Sequence, residues 1–296
     1  MADEARYERT TLPTPDGDLT VGTWGTSEAP AVIALHGVTS THQDFGPLAE
    51  AARGHFKVVA PDLRGRGGSS DISGPWGMDS HVSDVIAILD AEGIERGVLV
   101  GHSMGAFVAV LAAVQHPDRI RGLVLVDGGI PAVEANAGGD ELTRIVLGAA
   151  RARLEMRFPT PEVYIDWVRA GLPAGAALTA VDEQVLRYDL TPIDDEFRVA
   201  GSYPAIAADA VHITGEGSAA AARRLERPAI LLRAGRGLPP RTEGLYSPRE
   251  VAEWTRIVPA LTSEDLLDVD HGTIIRDTGA LKRIADAVAR MLAVAD

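Results

Sequence analysis

Gly101-His102-Ser103-Met104-Gly105 is the segment of this chain best suited to chemistry. A serine with glycine two residues away on each side fits a sharp strand-to-helix turn, where larger neighbours would clash and the hydroxyl stands clear of the backbone. The flanks supply that context. Gly97 to Val100 (GVLV) is a short apolar run, and Phe107, Val108, Leu111 and Ala112 recur at helical spacing up to a stop at His116-Pro117. A helix opening at the serine also brings free backbone N–H groups and positive potential to it. We read a nucleophile elbow, whose favoured chemistry is covalent acyl transfer. With 31 glycines in the chain, a chance G-x-S-x-G is the rival reading, and the strand and helix flanks count against it.

Several elements must position this serine. Ala31 to Leu35 (AVIAL), Lys57 to Ala60 (KVVA), GVLV and Gly122 to Val126 (GLVLV) are continuous apolar runs, as expected of strands buried on both faces of a parallel sheet. Val82, Val85, Ile86 and Leu89 mark a helix closing at Gly93, so strands and helices alternate. Leu19 to Trp24 alternates beside the turn signal Asp16-Gly17, which predicts edge strands within residues 1–30. The strand pattern resumes at Ala229 to Arg233 (AILLR) and Asp265 to Val269, and an amphipathic helix presents Leu281, Ile284, Ala285, Val288 and Leu292. Between the two halves, Ile130 to Glu226 reads as helical, with stretches near Glu141 to Met156 and Glu162 to Arg169 and no convincing buried strand. The expected organisation is an α/β core of residues 1–129 and 227–296 with a helical cap over 130–226.

The 296 residues carry 28 Lys plus Arg against 42 Asp plus Glu, a net charge of −14 that repels a phosphate backbone, so nucleic acid is not an expected partner. With no cysteine, disulfides, thiolate catalysis and iron–sulfur clusters drop out, and no histidine pair has zinc-ligand spacing. The charged opening MADEARYERTTLPTPDGD lacks the apolar core of a signal peptide, and no apolar stretch approaches the roughly 20 residues of a membrane span. A soluble, cytoplasmic protein without membrane contact is expected. Neither glycine cluster, Gly65 to Gly68 or Gly235 to Gly237, forms a dinucleotide or P-loop motif, so no cofactor is expected.

Two more segments complete a pattern: His36-Gly37-Val38-Thr39 after AVIAL, and Asp62-Leu63-Arg64-Gly65-Arg66-Gly67-Gly68-Ser69 after KVVA. Together with the elbow they resemble the α/β-hydrolase fold serine hydrolases, over residues 31–127 and again from 229 onward, with 130–226 in the place of that family's cap. The resemblance implies Ser103 as nucleophile and the backbone N–H groups of Val38 and Met104 as oxyanion hole. It implies a general base after the last strand, where His271 stands in Asp268-Val269-Asp270-His271-Gly272. His102 is then structural packing, His36 a loop stabiliser, and His42, His55, His81, His116 and His212 are surface or locally bonded residues. The chain departs from the family where the triad acid usually follows the strand matching AILLR. That stretch reads Ala234-Gly235-Arg236-Gly237-Leu238-Pro239-Pro240, with no carboxylate before Glu243. The fold's other acid position follows the preceding strand, and there GLVLV runs into Asp127, 24 residues beyond Ser103, as in haloalkane dehalogenases and zearalenone-type lactone hydrolases. Asp127 is the expected acid and Glu243 the alternative.

In the cap, Trp167 and Tyr188 are candidate walls of an apolar substrate pocket. Arg144, Arg151, Arg153 and Arg157 fit a salt-bridged helix face better than an anion site. The function expected is hydrolysis of a small to medium apolar carboxylic ester or lactone through an acyl-enzyme, in an oligomeric state the sequence does not fix. Two alternatives remain open: a C–C bond hydrolase of the same fold, and a ligand sensor on a hydrolase scaffold.

Overall fold

The computed structural model describes residues 7–131, 144, 147–172, 177–213, 216–237 and 243–294. An eight-stranded sheet runs β1 (Tyr7–Thr14), β2 (Gly17–Trp24), β4 (Lys57–Pro61), β3 (Ala31–Leu35), β5 (Gly97–His102), β6 (Ile120–Val126), β9 (Ala229–Arg236), β10 (Leu261–Asp270) in spatial order. The β1–β2 hairpin is antiparallel and joins β4 antiparallel; every other pairing is parallel. Each apolar run named above lies inside a strand.

The inner strands β3, β4, β5, β6 and β9 carry no polar face because both faces are covered, whereas the edge strands β1 and β10 are largely exposed. Side chains alternate along a strand, so Ile33, Leu35, Val59, Leu99, Leu123, Leu125 and Leu231 enter one core layer. Val32, Ala34, Val58, Val98, Val100, Val124, Val126, Ile230 and Leu232 enter the other. The helices α2 (Met78–Ala91), α3 (Met104–Gln115) and α9 (Pro248–Ile257) close the first layer, and α1 (Gly46–Ala52) and α10 (Thr278–Leu292) close the second. The expected apolar stripe of α10 packs inward through Leu281, Ile284 and Val288.

The insertion between β6 and β9 contains α4 (147–155), α5 (Pro161–Ala170), α6 (Ala180–Tyr188), α7 (Tyr203–Ile213) and α8 (Glu216–Arg223). It is not wholly helical, which corrects the expectation: β7 (Leu190–Ile193) and β8 (Glu196–Val199) form an antiparallel hairpin around Asp194, at φ +51°. Phe197 of this hairpin bridges Phe158, and Phe158, Tyr164 and Val199 form a separate small core. Of the helix expected over Glu141 to Met156, residues 141–143 and 145–146 lie outside the described residues, and 147–155 are helical. Among the described residues no helix is long and apolar enough to cross a membrane.

Candidate active site

Ser103 stands at the turn from β5 into α3 with φ +52° and ψ −118°, a conformation L-residues adopt only under constraint. The turn can be this tight because the residues two positions away on each side lack side chains. A Cβ on Gly101 would lie 2.4 Å from the Ala106 backbone, and one on Gly105 would lie 2.0 Å from the Leu35 carbonyl oxygen. The strain is held by register: Ser103 N donates to the Val126 carbonyl at 3.0 Å, tying the turn to β6.

Strand β6 ends at Val126, and the next residue, Asp127, is fully buried and also left-handed, at φ +45°. Its backbone N donates to the Leu232 carbonyl at 2.9 Å, and its Oδ1 accepts from Ala234 N at 3.0 Å. Oδ2 is left to accept from His271 Nδ1 at 2.7 Å, and His271 Nε2 sits 2.9 Å from Ser103 Oγ. A carboxylate accepts only, so Nδ1 carries the proton and Nε2 presents its lone pair to the serine hydroxyl. The structure thus brings Ser103, His271 and Asp127 together. Glu243 is exposed and has no part in this line.

His271 is held from behind. His102 Nε2 donates to the His271 carbonyl at 2.9 Å, and burial, with His271 close by, pushes the His102 pKa down to about 3. Asp270 closes the turn, its Oδ1 accepting from Gly272 N and Thr273 N at 2.9 Å each. Gly37 lies against the nucleophile: a Cβ there would be 3.4 Å from Ser103 Cβ. This sets the Gly37–Val38 peptide beside the serine. Met104 is the first residue of α3, where a backbone N–H has no intrahelical partner. His36 locks the loop between them: Nδ1 donates to the Gly37 carbonyl at 2.7 Å and Nε2 accepts from Leu63 N at 2.9 Å. Burial lowers the His36 pKa to about 3, consistent with that neutral tautomer.

Each of the two candidate pocket walls has contacts of its own. Trp167 is 45% exposed and rests on Phe158 and Tyr164, within the insertion's own small core. Tyr188 donates from its hydroxyl to Asp62 Oδ2 at 2.6 Å, pinning the insertion to the core. Of the arginines, Arg151 pairs with Glu155 and Arg153 with Asp189, as a salt-bridged face should, while Arg157 caps local carbonyls and Arg144 is exposed.

Sequence reasoning left the segment Asp62 to Ser69 without a role. Asp62 accepts from His42 N at 2.8 Å, His42 Nδ1 at 2.7 Å and Gly68 N at 2.7 Å. Arg64 forms a buried two-pronged pair with Asp84. Gly65 and Gly67 have positive φ, and a Cβ on Gly65 would lie 2.3 Å from Ala205 Cβ of α7. The glycines therefore let this loop pass directly under the insertion, where Ser202 N donates to the Gly65 carbonyl at 2.8 Å. Among the described residues no group of three or more His, Asp or Glu side chains is arranged to hold a metal.

Known proteins share this architecture. Residues 30–147 match the family model for the alpha/beta hydrolase fold. N-formylmaleamate deformylase of Pseudomonas putida is 30% identical over 240 residues, 77% of each chain. The chain belongs to the alpha/beta hydrolase fold family. Within it, 2-(acetamidomethylene)succinate hydrolase of Mesorhizobium japonicum is 26% identical over 86% of each chain. The crystal structure of an E-2-(acetamidomethylene)succinate hydrolase superposes with a TM-score of 0.81 at 22% identity, covering 96% of this chain and 100% of that one. Lipase LipV of Mycobacterium tuberculosis is 40% identical, but over 38% of this chain and 42% of that protein, so the match spans less than half of the lipase. This alpha/beta hydrolase is accordingly a hydrolase. The relatives matched over most of their length are not named as esterases or lactonases. They sit closer to the alternative of a C–C bond hydrolase of the same fold than to the apolar ester expected from the sequence.

Proposed function

We propose that the chain is a serine hydrolase acting through an acyl-enzyme, and that its acyl donor is a small carboxylate-bearing compound whose scissile bond is not an ester. The observation that carries the first part is the continuous line from Ser103 Oγ through the His271 ring to Asp127 Oδ2, with separations of 2.9 and 2.7 Å. His271 Nε2 takes the Ser103 proton as Oγ attacks the acyl carbon, and Asp127 holds the ring in the tautomer that allows it. The N–H groups of Val38 and Met104 receive the developing oxyanion; losing one such donor typically costs about 2.7 to 4 kcal/mol of transition-state stabilisation. His271 then hands its proton to the leaving group and activates the water that releases the acyl group. This machinery serves an ester, an N-acyl group or an acyl–carbon bond alike.

The substrate class is supported by the two relatives matched over most of this chain, whose names carry a succinate and a maleamate. The test is labelling with a fluorophosphonate probe and peptide mapping, beside a turnover panel. The panel holds p-nitrophenyl esters of increasing chain length, small lactones, N-acyl derivatives of short dicarboxylic acids, and β-diketone acids. Modification at Ser103 with preferred turnover of the last two groups is expected. Rapid turnover of long-chain esters alone would restore the apolar-ester reading. No labelling and no turnover, with one ligand strongly raising the melting temperature, would make the protein a sensor.

A further inference from the structure

Arg66 lies in the loop after β4 with 2% of its surface exposed, between the insertion and the Ser103 turn. Its guanidinium bonds in three directions. Nε donates to the Val38 carbonyl at 2.9 Å, Nη1 donates to the Arg64 carbonyl at 3.0 Å and to Asp209, and Nη2 reaches the Met104 sulfur at 3.7 Å. Val38 and Met104 are the two residues whose N–H groups would hold the oxyanion. The carboxylate that neutralises Arg66 comes from α7 of the insertion: Asp209 is fully buried and is shared with His81 Nε2 at 3.0 Å. Burial pushes the Asp209 carboxyl up, but the His81 bond and the nearby Arg66 charge outweigh this and hold it below its usual range.

We infer that Arg66 is a positioning residue for the oxyanion hole, and that the insertion completes the hole by supplying its counter-ion, Asp209. The inference rests on the serine hydrolase reading above. An oxyanion hole works because its donors are fixed before charge develops, and one rigid guanidinium here ties down both donor residues at once. A buried cation that loses its partner carries a large penalty, so α7 belongs to the fixed frame of the site and does not swing away as a cover.

The experiment is the rate of Ser103 phosphonylation by a fluorophosphonate, resolved into a maximal rate and a half-saturating concentration, in the wild-type chain, Arg66→Lys and Asp209→Asn. Melting temperatures are measured alongside. Arg66→Lys keeps a positive charge for Asp209, but its ammonium cannot span Val38 and Met104 together. The expected result is a maximal rate about 10- to 100-fold lower, with the half-saturating concentration within about threefold of wild type. Asp209→Asn should shift the maximal rate in the same direction, which keeps the test open should Arg66→Lys not fold. Wild-type maximal rates in both folded variants, or a loss confined to the half-saturating concentration, would overturn the inference while leaving the serine hydrolase reading intact. A wild-type chain that is not labelled at Ser103 would overturn both.

Discussion

Replacing Asp127 with asparagine separates the acid's electrical role from its shape. Asn is close to isosteric and tolerates the left-handed backbone at this position, φ +45°, so the fold should be kept. Its amide is not free to choose an orientation. Ala234 N–H points at Oδ1 from 3.0 Å, so the amide oxygen must stay there and the NH₂ group must face His271 Nδ1. Two donors cannot face each other across 2.7 Å, so the imidazole must move its proton to Nε2. That nitrogen then points an N–H at Ser103 Oγ and cannot accept its proton. The same wrong-tautomer effect in serine proteases lowers kcat by about 10⁴-fold, which corresponds to roughly 5.4 kcal/mol of transition-state stabilisation. The assay is the rate of Ser103 phosphonylation and the burst rate with the best acyl donor of the panel, with circular dichroism as control for folding. Glu243→Gln serves as the comparison, since Glu243 is exposed and should change either rate less than twofold. An Asp127→Asn variant within tenfold of wild type, with Glu243→Gln losing more, would refute the tautomer argument and move the acid elsewhere.

Other substitutions test the frame around this line. Gly105→Ala would place a Cβ 2.0 Å from the carbonyl oxygen of Leu35 in a central strand, where nothing can yield; urea unfolding should show a loss of about 3 kcal/mol or more, and a loss under about 1 would contradict the packing. Asp84→Ala strands the buried Arg64 guanidinium and should cost roughly 3 to 5 kcal/mol, with the Ser103 labelling rate of the folded fraction unchanged; a variant as stable as wild type would show that Asp16 and the Pro75 carbonyl suffice for Arg64. Burial holds His36 and His102 near pKa 3, whereas the unfolded chain protonates them near 6.5, so stability falls as pH drops through that window, by up to about 1.4 kcal/mol per pH unit for each. Asp44 works in the opposite sense: burial lifts it to about 6, so the folded chain takes up that proton first and offsets one histidine between about pH 6 and 4. His102→Gln, which can still donate to the His271 carbonyl, should therefore flatten the pH dependence of guanidinium unfolding over that range, and an unchanged slope would show that His102 is not a buried neutral ring.

The parts of this molecule that were legible in the sequence are those fixed over a few residues. Buried parallel strands announce themselves because both faces are apolar, and the elbow because its glycines answer to contacts made within the turn and with the adjacent strand. The proposed acid, Asp127, follows from the family resemblance, which offers a second acid position where Arg236 and Gly237 occupy the usual one. The β7–β8 hairpin was missed for local reasons: Pro192 cannot serve freely in a ladder, and Asp194-Asp195 is a weaker turn signal than a pair ending in glycine. The roles of Arg66, Asp209 and Tyr188 were out of reach for another reason. Arg66 meets Asp209 across 143 positions and Tyr188 meets Asp62 across 126, and no spacing rule carries an ion pair or a hydrogen bond over such a distance.

Placing the acid at the end of β6 changes what the site depends on. His102 and Val126 are register partners in neighbouring strands, so Ser103 and Asp127, the next residue in each, leave the sheet side by side. Both take left-handed turns at that point, and β9 fastens Asp127 through backbone alone, by the Leu232 carbonyl and the Ala234 N–H. Ser103 and Asp127, the proposed nucleophile and acid, are thus set by sheet register. The end of β9 is released from supplying a carboxylate, and it carries Arg236, whose guanidinium donates to the Asp268 carbonyl and braces the strand that leads to His271. His271 likewise follows directly on the end of β10, and the surrounding bonds converge there: His102 on its carbonyl, Asp270 on the turn that follows, and Asp127 on its ring. All three side chains of the proposed triad therefore stand one residue beyond the end of a strand of the same sheet, so their mutual spacing is a property of that sheet.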